Sequence, residues 1–190
     1  MSLHFDKIFS KYFGVIFLFI YHDFGISVKE YESLGKKNVF PAIDQCPHCK
    51  GRVRLNRHGF YWRNAIEVEQ YRIPICRLRC PSCKKTLSIL PTFLLSYFQY
   101  TVDVILEKLG SLIIKGKING YHQLVLFYRK RFFNRLNQVE MFFRDDGFRG
   151  VLPKDPKEKA IKLLRMIRAL GKATFVRRSK GHFSYNFMAH

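Results

Sequence analysis

The motif Cys46-Pro-His-Cys49 returns as Cys80-Pro-Ser-Cys83 with thirty residues between the two, and this pairing constrains the chain more than any other feature. Two residues between cysteines allow a tight turn that aims both thiolates at one point. Two such turns supply the four sulfur ligands of a closed zinc tetrahedron, with no position left for water or substrate. The expected cofactor is therefore one structural Zn2+ on Cys46, Cys49, Cys80 and Cys83. The gap is longer than in an ordinary ribbon, but a lengthened hairpin accommodates it at little extra loop-closure entropy. Dithiol redox chemistry and an iron–sulfur centre draw on the same ligands and stand as alternatives. Cys76 is expected to be a buried strand residue, and His48 and His58 to be non-ligands.

The chain has five cysteines, an odd number with four in Cys-x-x-Cys pairs, which favours metal ligation in a reducing compartment over a disulfide framework. A cytoplasmic location is expected. The apolar run 13–21 is far short of the roughly 20 residues of a membrane span, and Asp23 follows it with no small-residue cleavage site. No stable membrane association is anticipated, and the oligomeric state is left open.

Charge points to the partner. Thirty-four Lys and Arg oppose 14 Asp and Glu, for a formal net charge of +20. The surplus is uneven: residues 1–45 are neutral, whereas 46–100 and 151–190 each hold ten bases against two acids. A surplus of this size repels itself unless an anion neutralises it, so nucleic acid is the first partner to consider.

Periodicity organises the rest. Residues 13–21 read as a buried strand, and 28–34 as a short helix. The segments 52–62 and 68–79 read as two extended stretches joined near Asn64 and Ala65. Residues 86–100 read as a packed hydrophobic connector in which Pro91 forbids a regular helix. Thr101 is placed to cap a helix whose apolar residues Val102, Ile105, Leu109, Leu112 and Ile113 recur at helical spacing. A second helix is expected over 121–135, and a third to begin at Asn137 with Glu140 as its reciprocal carboxylate. Asp155, Pro156 and Glu158 mark the start of a last helix that Gly171 ends. The fold class that results is α+β, a small zinc-ribbon β module followed by a helical, helix-turn-helix-like region. The segments are 1–44, a strand and helix; 45–100, ribbon and connector; 101–145, helix-turn-helix-like; and 146–190, linker, basic helix and tail.

Two sets of cations are candidates for contacting nucleic acid. The ribbon carries Arg52, Arg54, Arg57, His58, Arg63, Arg77, Arg79, Lys84 and Lys85, interleaved with Tyr61 and Trp62, which are equally well read as stacking platforms or as core. Strand alternation puts Arg77 and Arg79 on one face and Leu78 on the other. The helix over 121–135 carries Arg129, Lys130, Arg131 and Arg135 after a Gly-containing turn, the order found in helix-turn-helix pairs. No Walker loop, nucleophile elbow or His-Glu-x-x-His motif occurs, and the acids form no strand-borne set for two-metal chemistry. The chain is expected not to be an enzyme.

Cys46-Pro-His-Cys49, Arg57-His-Gly-Phe-Tyr61, Tyr71-Arg-Ile-Pro-Ile, Arg79-Cys-Pro-Ser-Cys83, Leu90-Pro-Thr-Phe-Leu94 and Tyr97-Phe-Gln-Tyr100 together resemble a bacterial family of unknown function with a transposase-type zinc ribbon. The likeness spans roughly residues 12–145. Similar ribbons stand at the amino ends of insertion-sequence transposases, where they imply recognition of element ends. The resemblance thus implies a DNA-binding accessory or regulator of a mobile element, without the catalytic domain of a full transposase. DNA stands ahead of RNA as partner, and a protein-interaction scaffold with a structural zinc is the reading from a different class.

Overall fold

Four strands share one mixed sheet in the order β1-β4-β3-β2, in a computed structural model that describes residues 18–183 and 186–188. They are β1 (Leu18–His22), β2 (Asn56–Ile66), β3 (Gln70–Arg79) and β4 (Thr86–Pro91). β2, β3 and β4 form an antiparallel meander, and β1 closes the far edge by pairing parallel to β4. The helix α1 (Val28–Leu34) lies between β1 and β2. The remaining helices follow the sheet: α2 (Val102–Lys115), α3 (His122–Asn134), α4 (Leu136–Asp145), α5 (Pro156–Leu170) and α6 (Lys172–Arg178). The architecture is α+β, as the residue pattern implies.

Several local choices are legible in the residues that make them. Ser27 and Glu30 form a complete capping box at the start of α1, the Ser27 Oγ accepting from Glu30 N and the Glu30 carboxylate accepting from Ser27 N. Asp155 caps α5 by accepting from Glu158 N at 2.8 Å, with Pro156 at the first helical position. Gly116, in the left-handed region, closes α2.

Four expectations need correction. The hairpin turn lies at Glu67–Glu69, so Asn64 and Ala65 are strand residues paired with Arg72 and Tyr71. The span expected to be connector begins with β4, because Pro91 stands at the strand's last position, where its missing N–H costs nothing to the β3 ladder. α4 starts at Leu136, one residue before the expected Asn137 cap; Asn137 instead accepts a hydrogen bond from Lys159 on α5. Thr101 precedes α2 with extended backbone but makes no side-chain cap, and its Oγ1 is buried without a partner. The expected strand over 13–21 falls partly outside the described residues; its later part belongs to β1.

The sheet separates two cores. On one face Tyr21, Ala65, Ile73, Ile75 and Leu90 pack with the connector and with α2 to α6. On the other, toward the cysteine-bearing end, Leu55, Cys76, Leu78, Leu87 and Ile89 form a smaller cluster with Cys46 and Cys80. Residues from all four sequence segments enter the larger core. The last described residues are part of it: Phe187 and Met188 are buried, and Asn186 Nδ2 donates to the Ser96 carbonyl and hydroxyl at 3.1 and 2.8 Å.

Candidate metal centre and nucleic-acid interface

The two cysteine motifs fold into near-duplicate turns. In the first, Lys50 N donates to the Cys46 carbonyl at 2.8 Å and Cys46 N to the Gly51 carbonyl at 2.9 Å. In the second, Lys84 N donates to the Cys80 carbonyl at 3.1 Å and Cys80 N to the Lys85 carbonyl at 3.0 Å. Each turn reverses through a left-handed lysine, Lys50 and Lys84, both at φ 61°. A non-glycine residue gives up about 1 kcal/mol or more in that conformation, which the two backbone hydrogen bonds closing each turn offset.

The turns bring the four sulfurs together. All four Sγ atoms lie within 4.8 Å of one another, and the cross-turn pairs Cys46–Cys83 and Cys49–Cys80 are 3.7 and 3.8 Å apart. A sulfur tetrahedron with metal bonds of about 2.3 Å has edges of about 3.8 Å. The donor set and its spacing therefore fit one closed metal centre. Cys76 is buried on β3 outside the cluster, and His48 and His58 are exposed outside it, as expected.

The acid–base chemistry of the sulfurs agrees. Cys83 N–H donates to the Cys80 sulfur at 3.5 Å and holds that thiol down at about 6, against the opposing effect of burial. The Lys85 N–H lowers the Cys83 thiol, yet burial and the neighbouring sulfurs of Cys80, Cys49 and Cys46 together push it up to about 11. Sulfurs at these separations resist carrying four negative charges at once, and a bound dication removes that conflict.

Beside the second turn lies a groove of about 350 Å³ lined by Asn56, Arg57, His58, Arg79, Cys80, Pro81 and Lys84. Four of the expected nucleic-acid residues meet there, and no carboxylate lines it among the described residues. Arg79 Nε donates to the Lys84 carbonyl at 3.2 Å, which ties the groove to the metal turn. Asn56 was not foreseen, since its position depends on the pairing Asn56–Arg79. Arg52 and Arg54 point outward, alternating with inward Val53 and Leu55, and Lys85 is exposed. Arg77 shares a β3 face with Arg79 but is half-buried.

Other candidates are engaged elsewhere. Arg63 turns inward and donates to the Leu95 and Phe98 carbonyls at 3.3 and 2.6 Å, and burial lowers its pKa. On α3, Arg131 sits 4.4 Å from the Phe127 ring centroid and donates to the Met188 carbonyl, and Arg129 lies over Phe133; Arg135, at the junction of α3 and α4, donates to Gln138. Lys130 is exposed. α2 and α3 pack together across a turn, but α3 presents Leu126 and Phe127 outward beside its cations, with Tyr121 exposed just before its start. Tyr61 and Trp62 divide: Tyr61 packs on the larger core, and Trp62 is 48% exposed.

Residues 46–117 match a family described as a domain of unknown function, DUF6431. The match runs from the first cysteine turn to just past the end of α2, so it encloses the whole metal centre and the groove. No curated protein and no solved structure matches the chain. Among the described residues no helix is long and apolar enough to cross a membrane.

Proposed function

We propose that this protein is a zinc-ribbon nucleic-acid-binding protein, with DNA as the first partner, and that it binds rather than catalyses. The observation that carries the reading is the groove at the second cysteine turn. Arg57, Arg79 and Lys84 converge with His58 on a concave surface without a counter-carboxylate, in a chain of net charge +20. Zinc holds the second turn closed and so fixes where Lys84 and Arg79 stand, while the groove cations meet phosphate. The likeness of the ribbon to those of insertion-sequence transposases suggests an accessory or regulatory role in a mobile element.

The test is salt-dependent binding of the zinc-loaded chain to DNA. Each neutralised phosphate contributes about 0.7–0.9 to the log–log salt slope. Neutralising Arg57, Arg79 and Lys84 together to Gln is expected to weaken binding and lower that slope by about 2–3. A salt-independent affinity, or a slope unchanged in the triple variant, refutes the groove as the interface.

A further inference from the structure

β2 is an edge strand of the sheet, bridged at its last residue, Ile66, by Tyr100, and one bulge in it aligns the groove with the chain's single tryptophan. The β2–β3 register shifts between Arg57 and Gly59, with Gly59 at φ +116°. Strict alternation would put Arg57 and Trp62 on opposite faces, because they are five residues apart. The bulge removes that mismatch: Arg57, Phe60, Trp62 and Asn64 stand opposite Leu78, Cys76, Pro74 and Arg72, which all share one face of β3. Cations lie over the two rings of this row. Lys36 Nζ is 5.9 Å from the Phe60 ring, the Arg57 guanidinium 5.7 Å from the same ring, and the Arg72 guanidinium 5.9 Å from the Trp62 ring.

We infer that an unpaired nucleic-acid strand runs along this edge, its phosphates drawn by Arg57, Lys36 and Arg72 and one base stacked on Trp62. The inference rests on the nucleic-acid reading above and deepens it. Charge complementarity selects the occupant, since Lys36, Arg57 and Arg72 outnumber the carboxylate beside them, Glu32, which accepts from Arg72 N at 2.6 Å. The exposed ring selects an unpaired strand over a duplex, because Trp62, 48% exposed, can take a base face only when that base is out of a duplex stack. Arg57 and Trp62 lie two same-face steps apart, about 13 Å, so phosphate contact and base stacking fall within a few nucleotides of one strand. Phe60 is covered by Phe40, Arg57 and Lys36 and serves as support; Trp62 is the ring left half-exposed.

Because Trp62 is the only tryptophan, intrinsic fluorescence reports on the stacking position directly. The zinc-loaded full chain is titrated with an oligothymidylate of about twelve nucleotides and with a hairpin duplex of equal phosphate number. The inference expects the single strand to quench Trp62 and to bind at least ten-fold more tightly than the duplex. Trp62→Ala is expected to lose about ten-fold in single-strand affinity, and Trp62→Phe clearly less, with zinc content and melting temperature of both near the parent. Equal or tighter duplex binding, with Trp62 fluorescence unmoved and Trp62→Ala neutral, overturns the inference and leaves the nucleic-acid reading standing. Failure of both ligands to bind overturns both.

Discussion

Removing the metal is expected to unfold the cysteine end of the molecule and leave the helical core intact. The two turns, residues 46–51 and 80–85, comprise twelve residues, of which only Cys46 and Cys80 are buried. Ordering twelve residues costs about 12–24 kcal/mol at about 1–2 kcal/mol each. Burial supplies little against that, because the apolar side chains of the smaller core come mainly from the strands and from Leu55. A closed zinc site supplies about 10–16 kcal/mol, which is the same order. The larger core contains none of the four ligands and draws on α2 to α6, so it has no reason to melt with them. Hydrogen exchange of the zinc-loaded and chelator-treated protein, with far-ultraviolet circular dichroism alongside, checks this. Amides of residues 46–55 and 80–86 are expected to lose protection while the helical signal persists, and Cys80→Ser is expected to reproduce the effect. Protected turns after verified metal loss would refute the argument, as would concerted loss of the helices.

Three further outcomes follow from the packing. Arg63→Met is expected to destabilise the fold by about 2–4 kcal/mol, by stranding the Leu95 and Phe98 carbonyls, with nucleic-acid affinity of the folded protein unchanged; urea midpoints and binding isotherms separate the two effects. Phe187→Ala is expected to lower stability by about 3–5 kcal/mol, since Phe187 is buried against Phe132 and Phe175; a loss below 1 kcal/mol would show that the tail is not part of the core. Glu140 is held below the usual carboxylate range by its hydrogen bond to Lys159, then by Arg144. Its contribution is present above the unfolded carboxylate value near 4.3 and is lost as pH falls through the lower folded value. Glu140→Gln is therefore expected to cost about 0.5–1 kcal/mol at pH 7, with the gap to the parent closing in acid unfolding curves below about pH 4.

The cysteine pairs, the cap of α5, and the stripe Val102–Ile105–Leu109–Ile113 were legible in the sequence because each is a local arrangement whose spacing is set by one turn or one helix. β4 was less legible. Its alternation, Thr86-Leu87-Ser88-Ile89, lasts only four residues before Leu90 and Pro91 break it, and burial of Ser88 between β1 and β3 puts a polar residue where the pattern predicts solvent. The hairpin turn was hidden for another reason: Glu67-Val68-Glu69 contains none of the glycine, proline, asparagine or aspartate residues that mark reversals.

The list of thirteen nucleic-acid candidates shows where local reading stops. Arg57 and Arg63 look alike in the sequence, six positions apart on one strand, yet one lines the groove and the other is half-buried against the connector, bonded to its carbonyls. Charge and composition by themselves determine that the chain is strongly basic and carries four metal-competent thiolates in two turns. Only the tertiary structure decides which cations face solvent, because that depends on the Arg57–Gly59 bulge, on the strand pairings, and on which carbonyls the connector leaves in reach of a guanidinium. Those are contacts between residues distant in sequence. Their geometry follows from how the sheet closes and what packs on it, which no local spacing encodes.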